Sequence, residues 1–218
     1  MPRRTRRWPI FALVGALALV AYVAAHLPYL PVVHGNESDE VERLVEWLGV
    51  EAGMAVADLG AGDGRFAFAL AERVGPAGRV YATELSAAQL DHMRSAVNDR
   101  RLDNVHVVEA GVTETNLPEG CCDALFSRNV YHHLTEPDAV NADIRRALRP
   151  GGRLLVIDFE PGGPLDAIGR PDTAARHGGH GTPKETVVAE VTASGFLLRR
   201  GPEPWRGRMY GILFERTD

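Results

Sequence analysis

Val56-Ala57-Asp58-Leu59-Gly60-Ala61-Gly62-Asp63-Gly64-Arg65-Phe66 runs from an apolar segment into an acid, then through glycines at every second position, then into a helix-forming run. This is the pattern of a strand, a tight turn and the start of a helix, the layout of a nucleotide-binding βα unit. Glycine lets the chain turn sharply and lets backbone approach a ligand with no Cβ in the way. The spacing is G-x-G-x-G, with Asp58 two residues before the first glycine. A dinucleotide fingerprint is instead G-x-G-x-x-G, with a helix N-terminus aimed at a pyrophosphate. Asp58, Gly60, Ala61, Gly62 and Gly64 are therefore the first candidates for contact with a nucleotide-like ligand.

Residues 79–84 form a second short strand that ends in Glu84, about twenty residues past the glycines, where dinucleotide folds place a ribose-binding acid. A carboxylate there accepts hydrogen bonds from both ribose hydroxyls. The competing reading makes Glu84 a cap for the helix that starts near Ser86. Further strands are expected at residues 54–59, 104–108 and 122–127, and a fifth within residues 148–158. Helices are expected at residues 66–74, 87–97 and 137–148. Strands alternating with helices at this pitch imply a doubly wound, mostly parallel α/β sheet with helices on both faces. An opening helix is expected to carry Val41, Leu44, Val45 and Leu48 on one face, entered by an Asp39–Glu42 capping box. A later helix is expected to start at Thr182-Pro183-Lys184-Glu185, with Thr182 as N-cap and Val187, Val188, Val191 and Thr192 facing inward. Residues 196–200 and 209–215 close the sheet as strands six and seven.

Three segments in company resemble the class I S-adenosylmethionine (SAM)-dependent methyltransferases. They are the acid-and-three-glycine turn, Arg128-Asn129-Val130-Tyr131-His132-His133-Leu134 after the fourth strand, and Leu148-Arg149-Pro150-Gly151-Gly152-Arg153-Leu154 before the fifth. The resemblance is to the small-molecule methyltransferases related to quinone-biosynthesis enzymes, close over residues 39–159 and looser beyond. It implies a seven-stranded Rossmann-like fold ending in an antiparallel hairpin, SAM as cofactor, and a small-molecule or lipid-like acceptor. It also implies a cofactor site of Asp58, Gly60, Ala61, Gly62, Gly64, Glu84, Leu85, Gly111, Val112, Arg128 and Asn129. The family commonly has an Asp after the third strand that takes the adenine amino group. Ala110 or Gly111 fills that slot here, leaving backbone groups, Glu109 or Glu114 as substitutes.

Residues 160–181 are rich in Gly, Pro, Asp and His. A loop this long in a compact domain is functional or disordered as a rule, and in this fold the segment after strand five commonly shapes the acceptor pocket. His132 and His133 follow strand four, and His177 and His180 lie in the loop. Each is a candidate general base, because imidazole titrates near neutrality. A hydrogen-bonded packing role competes for His132. Tyr131 reads as a pocket wall. No carboxylate or cysteine falls at ligand spacing from these histidines, so no metal site is expected.

The chain has 218 residues and a net charge of −5, which leaves no basic footprint for nucleic acid. Its two cysteines, the neighbours Cys121 and Cys122, are neither a disulfide framework nor a zinc set, and read as small core residues. Arg3, Arg4, Arg6 and Arg7 precede a charge-free run over residues 10–25, extendable toward Val33 past Pro28 and Pro31. Residues 1–35 therefore read as a separate membrane segment or a signal peptide with a small-residue exit at Val23-Ala24-Ala25, and residues 36–218 as the catalytic domain. The arginines favour an N-terminus inside and the domain outside. A cytosolic cofactor favours the cytoplasmic face, with residues 10–30 associated with the bilayer. Three functions stay open: small-molecule methyl transfer, SAM binding without catalysis, and nicotinamide-dependent oxidoreduction.

Overall fold

The protein's structure, a computed structural model, describes residues 37–161 and 181–218. The basic and apolar N-terminal segment lies outside the described residues, as do His177, His180 and most of the long loop. Two compact units are distinguished, Met1–Glu40 and Val41–Asp218. The second carries the whole sheet.

Helix α1 (Glu37–Leu48) buries Val41, Leu44, Trp47 and Leu48. Asp39 already lies inside this helix, so the expected Asp39–Glu42 capping box does not exist. Glu42 pairs with Arg73 instead. Then follow β1 (Ala55–Leu59), α2 (Arg65–Val74), β2 (Arg79–Glu84), α3 (Ala87–Arg100), β3 (Val105–Glu109) and β4 (Cys122–Arg128). No helix joins β3 to β4. A 3-10 turn at Tyr131–His133 leads to α4 (Pro137–Ala147), β5 (Leu148–Phe159), α5 (Lys184–Ala193), β6 (Phe196–Pro204) and β7 (Met209–Arg216).

The seven strands lie in the order β3-β2-β1-β4-β5-β7-β6. Pairings from β3 through β5 are parallel, and β7 runs antiparallel to both neighbours. The expected doubly wound sheet with a closing hairpin is what forms. Its central strands β1, β4 and β5 are apolar on both faces, as a sheet covered on two sides requires. Period-two alternation sorts them: Ala124, Phe126, Leu155 and Ile157 join the core under α1, α2 and α3. Leu125, Leu154, Val156 and Ile212 join the core under α4 and α5. A one-residue slip would exchange the two sets.

Helix α5 starts later than the sequence implies. Thr182 is buried, its hydroxyl has no hydrogen-bond partner among the described residues, and Pro183 stands at the N-cap, so Thr182 does not cap the helix. Its amide and carbonyl are used elsewhere: the amide donates to Phe159 O at 3.0 Å, and the carbonyl accepts from Tyr210 Oη at 2.7 Å. Val187 and Val191 form the buried face of α5, while Thr192 is exposed and returns its hydroxyl to Val188 O.

β1 is flanked by β2 on one side and β4 on the other. The chain winds away from β1 in both directions, so a crevice opens at the carboxyl ends of β1 and β4. Open α/β sheets bind ligands at such a switch point.

Candidate functional site

The turn after β1 holds Gly60 and Gly62 at φ +70° and +58°. A Cβ on Gly60 would lie 2.6 Å from Val130 Cγ2, so glycine lets this turn sit against the segment after β4. A Cβ on Gly62 would meet nothing within 4 Å, so this backbone faces open space. Gly64 differs from both, because a Cβ there would lie 2.6 Å from the Phe68 ring; it is a packing position at the start of α2. The Ala61 amide donates to Thr83 O at 2.9 Å, tying the turn to β2.

Glu84, the last residue of β2, reaches the same turn. Its Oε2 accepts from the Gly62 amide at 3.0 Å, and its Oε1 from the Leu85 and Ser86 amides at 2.8 and 3.0 Å. Both sequence readings of Glu84 therefore describe part of the arrangement. It gathers amides at the start of α3 and stands beside the glycine turn, with lone-pair capacity left on a carboxylate that can accept about four bonds.

A cavity of about 320 Å³ lies here, lined by Asp58, Gly60, Ala61, Gly62, Asp63, Arg65, Phe66, Gln89 and Arg128. Asp58 is 3% exposed, and its Oδ2 has no hydrogen-bond partner among the described residues. Burial pushes its carboxyl up to about 8; Arg128 pulls the other way, while Glu84 and Asp63 add to the rise. Arg128 lies over the Phe66 ring at 5.1 Å and Arg65 at 5.2 Å. Asp63, Arg65, Phe66 and Gln89 were not among the sequence candidates. Asp63, Arg65 and Phe66 continue the glycine motif and could have been taken from adjacency. Gln89 carries no sequence signal, because only the packing of α3 beside the turn brings it there.

Leu85 and Val112 are 58% and 62% exposed, unusual for large apolar side chains. They follow β2 and β3, at the same edge of the crevice. No carboxylate stands in the adenine slot after β3. The Ala110 amide continues the ladder to Glu84 O, and the Gly111 amide donates to Glu114 O at 2.8 Å. Of the substitutes, Glu114 is nearest: a Cβ on Gly111 would lie 2.9 Å from Glu114 Cγ. Asn129 has φ +58° and a buried Oδ1 without a partner among the described residues. Its amide donates to Ile157 O at 2.9 Å.

These features test whether SAM fits. A buried carboxyl with one oxygen unpartnered among the described residues suits a ligand ammonium, a Cβ-free turn admits close approach, a second acid stands at ribose distance along the sequence, and two exposed apolar side chains offer an adenine slot. The residues fit the group.

Beyond β4, His132 and Asp158 meet. His132 Nδ1 lies 2.8 Å from Asp158 Oδ1, and the His132 amide donates to Oδ2 at 2.8 Å. Both side chains are buried. With the carboxylate as acceptor, Nδ1 is the donating nitrogen of this pair. The His133 ring centroid lies 3.9 Å from that of His132 with the rings tilted by 44°, and the residue is exposed. Asp158 was missed in sequence, because its partner lies 26 residues away and only strand pairing joins them. Tyr131 is buried in the core, donating to Glu190 Oε2 and accepting from Asn141 Nδ2, both at 2.9 Å. It is a core residue, not a pocket wall.

Residues 57–156 match the family model described as "Methyltransferase domain". Among curated relatives, the chain is 32% identical over 119 residues to the ubiquinone/menaquinone biosynthesis C-methyltransferase of Hahella chejuensis, covering 54% of this chain and 48% of that one. The corresponding Bordetella avium protein is 33% identical over 113 residues, covering 50% and 43%. The chain thus spans about half the length of the curated relatives it matches. A SAM-dependent methyltransferase from Aquifex aeolicus superposes with a TM-score of 0.68 at 24% identity, covering 81% of this chain and 89% of that one. A Haemonchus contortus phosphoethanolamine N-methyltransferase in complex with SAM superposes at 0.67 and 15% identity, covering 84% and 53%. The fold is the Rossmann-like methyltransferase fold, and the chain resembles the class I SAM-dependent methyltransferases.

Proposed function

We propose that this chain, with the fold and domain match of the class I SAM-dependent methyltransferases, transfers a methyl group from SAM to a small-molecule acceptor. The observation that carries the reading is Asp58: a buried carboxyl with an unsatisfied oxygen, facing the crevice between the Gly60–Gly62 turn and Arg128. Leaving such a group without a partner costs about 1–3 kcal/mol, which a bound ammonium recovers. When bound, SAM supplies an activated methyl on a sulfonium. The chain's part is to hold and align: Asp58 for the ammonium, Glu84 for the ribose, Leu85 and Val112 for the adenine faces, and Glu114 near its edge. Alignment alone contributes several kcal/mol to such a displacement. An acceptor that arrives protonated needs a base, and His132, oriented by Asp158, is the residue to supply it.

Calorimetric titration with SAM, its demethylated product and NAD tests the cofactor. Binding of the first two and not the third is expected; NAD binding alone would sink the reading. A labelled-methyl screen over small-molecule and lipid extracts then tests transfer. The names of the C-methyltransferase relatives make quinone precursors the first acceptors to try. SAM binding with no transfer to any extract would favour a binding-only role.

Membrane association through residues 10–30, on the cytoplasmic face, belongs to the same proposal. Its support is the charge-free run behind four arginines, each worth up to about 1 kcal/mol at an anionic leaflet. Among the described residues no helix is long and apolar enough to cross a membrane. The full chain should sediment with membranes, whereas a chain beginning at residue 37 should stay in solution and bind SAM. A mature N-terminus at His26 would identify a cleaved signal instead, and digestion of the domain by protease outside intact cells would reverse the assigned side.

A further inference from the structure

Residues 110–121 join β3 to β4 with no helix among them. The connection begins beside Glu84, because the Ala110 amide donates to Glu84 O at 2.9 Å. Its first turn closes where the Gly111 amide donates to Glu114 O at 2.8 Å. A Cβ on Gly111 would lie 3.3 Å from Glu114 Oε1, so the Glu114 carboxylate is folded over Gly111. Asn116 sits at φ +57°, and its side-chain amide donates to Glu109 O at 2.9 Å, which draws the far side of the turn back onto β3.

Between Glu114 and Asn116 stands Thr115, which is fully buried and takes its partner from α4. Asp143 Oδ2 accepts from the Thr115 amide at 2.7 Å and from its hydroxyl at 2.6 Å. The same hydroxyl accepts from the Leu117 amide at 3.3 Å. Arg146, one turn further along α4, donates through Nε to Asp143 Oδ1 and through Nη2 to Leu117 O, both at 2.8 Å. Partial burial works against charge on Asp143, but the bonds from Thr115 and Arg146 outweigh it and hold the carboxyl below its ordinary range. Hydrogen bonds to an ionised acceptor are roughly twice as strong as neutral ones. One carboxylate therefore fixes both the backbone and the side chain of Thr115, the residue next to Glu114.

We propose that Asp143 is a positioning residue of the cofactor site: by fixing Thr115 it sets Glu114 where that carboxylate accepts the exocyclic amino group of adenine, so that the site selects an amino purine over its oxo counterpart. The assignment rests on the reading of the crevice as a SAM site. An oxo purine turns a carbonyl toward the same carboxylate, and two acceptors facing each other leave both without a bond. Asp143 touches no ligand in this scheme; it acts through Thr115, from which it is separated by 28 positions in sequence.

Calorimetric binding of S-adenosylhomocysteine and of its oxo analogue, S-inosylhomocysteine, to the full chain tests the proposal. The wild-type chain should prefer the adenosyl ligand on the order of tenfold, the scale of one hydrogen bond to a charged group. Asp143→Asn should bring that ratio near one, and adding Asp143→Asn to Glu114→Ala should change the ratio no further than Glu114→Ala alone. Thr115→Ser, which keeps the hydroxyl, should retain the preference, and Thr115→Val should lose most of it. A merely structural role would weaken both ligands alike and leave the ratio in place. Amide exchange at Thr115 and Leu117 in the ligand-free chain should quicken in Asp143→Asn. A folded Asp143→Asn chain with the wild-type ratio would overturn the proposal; if that variant does not fold, an unchanged ratio in Thr115→Val does the same. A wild-type chain that binds both ligands equally removes the proposal and leaves the methyltransferase reading standing, whereas one that binds neither removes both.

Discussion

Asp58 stores a protonation change. Its folded value of about 8 lies above the ordinary 3.8, so between those values the folded chain holds a proton that the unfolded chain has lost. Stability from this group is therefore greatest below about pH 4 and falls as pH rises toward 8. A cation bound beside Asp58 favours the ionised form. SAM affinity should then rise with pH up to about 8, with proton release visible as a dependence of the binding enthalpy on buffer ionisation. Asp58→Asn should flatten both responses and weaken SAM by roughly 1–3 kcal/mol. Wild-type affinity that stays constant across this range would show that the ligand's cation lies elsewhere. Glu84→Ala should weaken SAM on the same scale, and should also loosen the Gly62 turn by freeing its amide. An unchanged affinity in a folded Glu84→Ala chain would remove Glu84 from the site.

Between elements, the contact that shapes the crevice is Gly60 against Val130. Gly60→Ala forces a side chain into φ +70° and into Val130 Cγ2. The left-handed conformation costs about 1–2 kcal/mol, and the overlap adds to it. Val130→Ala in the same chain should recover the overlap but not the backbone strain, so denaturant melts should show partial rescue. Full rescue would mean that strain is negligible; no rescue would mean that Val130 is not the obstacle. The glycine pattern made this turn visible in sequence. That its second glycine faces the cavity while the third packs on Phe68 was not legible, because both have the same spacing and differ only in what surrounds them.

Across the whole domain, α1 is fastened to the β6–β7 hairpin through Arg43. Its guanidinium donates to Trp205 O and Pro204 O at 2.7 and 2.8 Å and lies over the Trp205 ring at 4.3 Å. Trp47 and Trp205 meet edge to face at 5.2 Å. Arg43→Ala should lower unfolding free energy by about 1–3 kcal/mol, and Arg43→Lys should restore little of it, because an ammonium reproduces neither the fork nor the stacking. Full recovery with lysine would reduce the clamp to a simple charge effect. The sequence separation of 162 between Arg43 and Trp205 explains why no sequence pattern announced it. What the sequence by itself determined is everything written as local periodicity or as a short motif: the apolar strands, the alternation with helices, the glycine turn, Asp58 before it, Glu84 at the next strand tip and the Pro-Gly-Gly entry to β5. These depend on residues within a turn or a strand of one another, where backbone sterics and burial act directly. Only the tertiary structure decided that Glu84 binds the Gly62 amide, that His132 meets Asp158, and that Thr182 does not cap its helix. Each of these rests on which strands lie side by side, and that order is settled by burying two apolar faces at once, a condition on the whole chain and not on any stretch of it.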